Sequence, residues 1–214
     1  MPVSDDPLAQ AAAAARDGRL VVFPTDTVYG IGTRPEDPAA TARLFDAKRR
    51  PRDLELPVLG ATAAALRRVA AFDDRVERLA AELWPGPLTI VLPRTVQSRD
   101  WELGGDPDTI GVRIPGHPLA LGLLAAAGPL AVTSANASGE PPGRTCDEVQ
   151  ATFEDLVAVY LCEETPLTGE PSTVLDLAHD GPRLLRVGST GPEVLARLLP
   201  EGTSLLDSRP SPGM

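Results

Sequence analysis

Short apolar runs alternate with capped helical segments along most of this chain, and that alternation constrains the fold more than any other feature. Residues 20–23, 56–59, 88–92, 109–115, 130–133, 158–161, 173–177 and 184–187 are rich in Val, Ile and Leu at strand length. Between them, Ser4-Asp5-Asp6-Pro7 opens an Ala-rich run to Arg16, closed by Gly18, and Asp37-Pro38 opens a helix carrying Leu44 and Phe45. Pro51 disfavours helical backbone at Arg50, so that second helix stops there. Residues 62–83 read as one or two helices broken near Phe72-Asp73-Asp74, and residues 118–127 as another, ended by Gly128. Thr145…Glu148 and Thr190…Glu193 have capping-box spacing, so each predicts a helix start. Residues 24–32 read as a turn and 94–108 as a loop. Interleaved elements with short connections favour a mixed α/β fold, a sheet flanked by helices, over a bundle or a sandwich. No repeat and no Pro/Gly linker divides the chain, so residues 5–199 are expected to form one domain and residues 200–214 a flexible tail.

Charge narrows the function. Twenty basic against 30 acidic residues give −10, so the whole molecule repels polyanions and anionic membranes, and any such ligand must meet a local basic patch. Nineteen of the twenty cations are Arg; the single Lys is Lys48. Residues 43–52 gather Arg43, Lys48, Arg49, Arg50 and Arg52, a local field suited to a triphosphate, although such a run also reads as a solvated helix end. Eight aromatic residues leave few platforms for stacking single-stranded bases. Cys146, Cys162, His117 and His179 lack zinc-ligand spacing, and the two cysteines read as free or buried thiols of a reducing compartment. There is no GxxxxGK[ST], no GxGxxG opening a helix after a strand and no GxSxG. With no apolar run of membrane length and no leader-like start, the expectation is a soluble cytoplasmic protein.

The chemistry-bearing segments sit at strand ends. Thr25-Asp26-Thr27-Val28-Tyr29-Gly30 offers hydroxyls and amides just past a strand, and Ser134-Ala135-Asn136 does the same later in the chain; either reads alone as an ordinary hydrogen-bonded turn. Arg113 alternates with Val112 and Ile114 in a strand, so it faces away from them and needs an anionic partner from protein or ligand. Glu163-Glu164 and Asp106/Asp108 read as solvated loop charge or a metal site, and His117 as a satisfied or exposed loop residue.

Taken in order, Phe23-Pro24-Thr25-Asp26-Thr27-Val28-Tyr29-Gly30-Ile31-Gly32, Lys48-Arg49-Arg50-Pro51, Trp84-Pro85-Gly86-Pro87-Leu88-Thr89, Val112-Arg113-Ile114-Pro115, Ser134-Ala135-Asn136-Ala137-Ser138-Gly139, Pro171-Ser172-Thr173-Val174-Leu175-Asp176 and Leu185-Arg186-Val187-Gly188 resemble the YrdC-like family of L-threonylcarbamoyladenylate synthases. The resemblance runs from about Gly18 to Gly188, and the family's K-x-R and S-x-N pairs fall on Lys48, Arg50, Ser134 and Asn136. It implies a twisted mixed sheet flanked by helices around a central basic cavity. It also implies a nucleotidyltransferase that makes threonylcarbamoyl-AMP and pyrophosphate from L-threonine, bicarbonate and ATP with Mg²⁺, for threonylcarbamoyladenosine in tRNA. By that likeness Lys48 and Arg50 are catalytic, and Thr27, Arg113, Ser134 and Ser172 hold threonine. Arg50, Thr109, Asn136, Arg144 and Arg186 hold ATP, and tRNA or a downstream modification protein is a further partner. The chain departs from the family pattern at Leu54 and Leu59, where members commonly carry Asn and His. Two other readings stand beside this one: a non-catalytic binder of structured RNA through residues 43–52, and a carbamoyltransferase of the same fold.

Overall fold

The computed structural model describes residues 6–200 and 205–207. Helix α1 (Pro7–Arg16) starts where the Asp6 side chain accepts from Leu8 N at 3.0 Å and Pro7 needs no N–H partner. It leads through strand β1 (Val21–Phe23) into β2 (Gly30–Thr33). Helix α2 (Pro38–Lys48) is capped the same way by Asp37, which accepts from Ala39 N at 2.9 Å. After β3 (Val58–Leu59), the expected helical stretch divides into α3 (Ala63–Leu66) and α4 (Asp74–Leu83). Then follow β4 (Leu88–Pro93), β5 (Thr109–Arg113), α5 (Pro118–Ala127) and β6 (Leu130–Ser134). Helix α6 (Cys146–Phe153), β7 (Val159–Tyr160), β8 (Thr173–Asp176), β9 (Arg183–Arg186), α7 (Pro192–Leu198) and β10 (Leu206–Asp207) complete the described chain.

One ten-stranded mixed sheet runs β10-β9-β8-β4-β5-β3-β6-β2-β1-β7, with parallel pairs at β10/β9, β8/β4, β5/β3 and β1/β7. Alternation along each strand sends successive side chains to opposite faces. One face (Val22, Ile31, Val58, Ile90, Ile110, Val112, Leu175) joins Leu44 and Phe45 of α2, Leu79 of α4, Val149 of α6 and Leu195 of α7 in the main core. The other face is covered only in part. There α1 and α5 pack Ala11, Ala15, Ala120 and Leu123 on Val21, Phe23, Leu130 and Val132. Over β4, β5 and β8 the same face carries Thr89, Val91, Gly111, Arg113 and Val174, and these line a cleft.

The mixed α/β sheet is the fold class the alternation predicted. Four local expectations are corrected. The turn expected over residues 24–32 ends earlier, and Gly30–Thr33 is a strand pairing β1 and β6. Its glycines serve close approach, since a Cβ on Gly30 or Gly32 would meet Val132 side-chain carbons at 2.9 Å. The box expected at Thr190 does not form: Gly191 is the N-cap of α7, and Thr190 is drawn to β8, its carbonyl accepting from Thr173 Oγ1 at 2.6 Å. The box at Thr145 does form. Cys146 and Cys162, expected as thiols, are joined in a disulfide, the start of α6 lying against the end of β7 with Cα atoms 5.4 Å apart. Within the segment expected to be a flexible tail, Leu206 and Asp207 pair with β9; residues 201–204 and 208–214 lie outside the described residues. No helix among the described residues is long and apolar enough to cross a membrane.

Candidate active site

The cleft over β4, β5 and β8 encloses about 540 Å³. Its polar side chains come from strand ends, from the loops beside them and from the end of α2. After β1 the chain turns on Thr25, whose hydroxyl donates to Val28 O at 2.6 Å and accepts from Val28 N and Thr27 N, both at 3.2 Å. That turn delivers Thr27 into the cleft and Asp26 beside it. Arg113, at the end of β5, has a side chain only 6 % exposed. Its Nη2 donates to Asp26 Oδ1 at 2.5 Å, Nη1 to Thr27 Oγ1 at 3.1 Å and Nε to Gly86 O at 2.9 Å. Burial pulls this guanidinium below its usual range and Asp26 opposes that, so the anionic partner required by the alternation is Asp26. Gly86 follows the cis bond between Trp84 and Pro85.

Helix α2 ends at Lys48 because Arg49 takes the left-handed conformation (φ 49°). Lys48 is 2 % exposed and does not line the cleft itself. Its Nζ lies behind Ser134, donating to Ser134 O and, at 3.0 Å, to Asn136 Oδ1. Ser134 Oγ donates to the same Asn136 oxygen at 2.6 Å, so the K-x-R and S-x-N segments meet at one point. Burial, with Arg50 adding repulsion, pushes the Lys48 ammonium down to about 7. Arg50 swings into the cleft, Nε donating to Leu54 O at 3.2 Å and Nη2 to Glu55 O at 2.9 Å. Across from it, Arg186 of β9 donates through Nη2 to Ser172 Oγ and through Nε to Ser172 O, at 3.0 and 2.9 Å. Ser172 Oγ also meets Thr89 Oγ1 at 3.0 Å. The two guanidiniums repel, and burial together with Arg186 lowers the acidity range of Arg50. Such a pair of facing, half-buried cations is a ready receptor for an anion.

Of the residues singled out in the sequence, Thr27, Arg50, Arg113, Ser134, Ser172 and Arg186 line this one cleft. Lys48 and Asn136 stand directly behind Ser134. Thr109 and Arg144 are outside the lining. Thr109 continues the face of Gly111 and Arg113 and uses its carbonyl to hold Arg94, at 2.6 Å. Arg144 is on the rim, Nε donating at 2.9 Å to Leu167 O, whose loop reaches back through Gly169 N and Thr168 Oγ1 to Thr27 O, both at 3.2 Å. Polar residues of the site to which the sequence assigned no role include Asp26, Thr89 and Glu55. Thr89 is hidden in an otherwise apolar strand run, and Glu55 is a single acid between two leucines. Among the described residues no three His, Cys, Asp or Glu side chains are grouped so that they could hold a metal ion; His117 caps α5, accepting from Leu119 N at 3.3 Å.

Comparison with known proteins places these features in company. The profile of the family described as telomere recombination, covering Sua5, YciO and YrdC, matches residues 13–188. The threonylcarbamoyl-AMP synthase of Chromohalobacter salexigens is 38 % identical over 181 residues, 83 % of this chain and 96 % of that protein. Pyrococcus abyssi Sua5, solved in complex with L-threonine, superposes with a TM-score of 0.83 at 34 % identity over 93 % of this chain, which spans only 58 % of that longer structure. Escherichia coli YciO superposes with a TM-score of 0.78 at 28 % identity, over 89 % of this chain and 94 % of its own.

Proposed function

The chain belongs to the Sua5/YciO/YrdC family, and on that premise we propose that it is a threonylcarbamoyl-AMP synthase, converting L-threonine, bicarbonate and ATP to threonylcarbamoyl-AMP, pyrophosphate and water. The observation that carries the reading is the convergence of Arg50, Arg113 and Arg186 with Thr27, Ser134 and Ser172 on one cleft, backed by Lys48. Two anions must meet in this reaction, a carbamate and a triphosphate, and their repulsion is the first barrier. Arg113 spends three of its five N–H donors on Gly86, Thr27 and Asp26, leaving two for the threonine carboxylate. The hydroxyls of Thr27, Ser134 and Ser172 supply the neutral contacts that orient threonine.

The threonine amine attacks bicarbonate carbon with loss of water, giving a carbamate. A carbamate oxygen then attacks the α-phosphorus, and the bond to pyrophosphate breaks. Arg50 and Arg186 flank the cleft where the triphosphate lies in this reading, and Lys48 adds positive charge from behind Ser134 and Asn136. Positioning and charge neutralisation suffice, with no protein nucleophile. Thr109 and Arg144 remain in the proposal as ATP contacts at the end and rim of the cleft, reached on nucleotide binding. Mg²⁺ enters as the ATP complex, and it supplies charge neutralisation at the phosphates. A lining of hydroxyls and arginines with the lone carboxylate Glu55 fits a cation that keeps water and phosphate ligands. The product passes to tRNA or a tRNA-modification protein in the cytoplasm. Pyrophosphate release that requires both threonine and bicarbonate tests the reading; release without threonine, or none, overturns it.

A further inference from the structure

Glu55 lies on the cleft wall just before β3, among Leu54, Leu56 and Val58. Its Oε1 accepts from Gly111 N at 3.2 Å, and no donor among the described residues reaches Oε2. Burial pushes this carboxyl up to about 7; Arg94 and the Gly111 N–H oppose the shift, and Asp106 and Asp176 add to it. A neutral amide would serve Gly111 equally well without the cost of a half-buried charge. Within the protein only the charge of Arg94 favours an acid here, with no hydrogen bond between the two, and a ligand donor at Oε2 would supply the partner that oxygen lacks.

The surroundings say which donor. Arg50, assigned above to the phosphates, is held by the carbonyls of Leu54 and Glu55. The phosphate clamp and the Glu55 carboxyl thus ride on one short loop. Val91, Val174 and Leu185 share the same cleft, and Leu54 and Leu185, 45 % and 48 % exposed, give it an apolar lip that suits a base. In a nucleotide the sugar lies between phosphate and base, and a ribose presents two adjacent hydroxyl donors. We propose that Glu55 accepts, through Oε2, a hydrogen bond from a ribose hydroxyl of ATP, and so sets the preference of this enzyme for a ribonucleotide. The inference rests on the reading of ATP as substrate. It assigns a polar contact to the loop where Leu54 replaces the family's usual Asn.

The test compares ATP, 2′-deoxy-ATP and 3′-deoxy-ATP, by pyrophosphate release and by calorimetric binding, in wild type, Glu55→Ala and Glu55→Gln. A hydrogen bond to a charged acceptor predicts that wild type prefers ATP over at least one deoxy analogue by about tenfold. Glu55→Ala should bring that ratio to within about twofold of unity, by losing affinity for ATP and not for the deoxynucleotide. Glu55→Gln, which keeps the bond to Gly111, should lower the ratio as well and guards against a misfolded alanine variant. A wild type without preference, or variants that weaken all three nucleotides by one factor, overturns the proposal and leaves Glu55 a support for β5. The calorimetric ratio stands without turnover, so absence of threonine-dependent pyrophosphate release would sink the reaction and not, by itself, the ribose contact.

Discussion

At the scale of single residues the site is governed by charges taken out of water. Lys48 is the clearest case. Its ammonium titrates at about 7 in the folded chain, against about 10.4 in an unfolded one. Protonating it therefore costs the fold: the penalty is absent above the unfolded value, grows as pH falls from about 10 to 7, and is complete below. Lys48→Met should accordingly raise the melting temperature most below pH 7 and hardly at all near pH 10, while cutting pyrophosphate release by about a hundredfold or more. A triphosphate drawn alongside would return the proton. Near pH 7 wild type should thus take up close to half a proton more than Lys48→Met on binding ATP, read by calorimetry in buffers of different ionisation enthalpy. Equal uptake would remove Lys48 from the phosphate side. Arg113 solves the same problem differently, keeping its charge through Asp26, and so stays a fixed cation where Lys48 is a responsive one.

At the scale of elements, function sits where strands stop. The turn after β1, the end of β5 and the end of β6 each deliver one group of cleft residues, so the motifs were readable as local strings. What brings them together was not local. That Lys48 would reach Ser134, 86 residues away, is decided by β2 pairing with β6 and by α2 packing against β2. Gly30 and Gly32 were read as turn glycines because nothing in their neighbourhood announces Val132. Thr190 matched a helix-start pattern, yet a buried partner on β8 outbid it. Glu55 carried no pattern at all, and only its burial makes it conspicuous. Gly188 shows how tightly one element sets another: a Cβ there would strike the carbonyl of Pro171 and the backbone of Ser172. Gly188→Ala should push the start of β8 out of the cleft, raising KM for threonine by about tenfold or more through misplacement of Ser172. An unchanged KM would mean that Ser172 makes no contact with threonine.

At the scale of the whole molecule, the sheet is a two-sided wall with one side left half bare. Helices α2, α4, α6 and α7 close the main core, whereas α1 and α5 cover only the part of the other face that includes β1 and β6. The rest carries Thr89, Gly111 and Arg113 beside Val91 and Val174, and a buried arginine would sit badly under a helix. In the proposed reaction nucleotide and amino acid would occupy the place of the missing layer, and their binding would be the last step of packing. A ligand at a hundred times its dissociation constant stabilises a fold by about 2.7 kcal/mol, and in a chain of this size each kcal/mol moves the melting temperature by about 2–4 °C. ATP at that level should therefore raise it by roughly 5–11 °C in a thermal scan, and by clearly less in Arg186→Ala. Cells holding ample substrate would then keep this enzyme more resistant to unfolding and proteolysis than starved ones. Abundance would follow nutrient supply with no regulator beyond the bare half of a sheet.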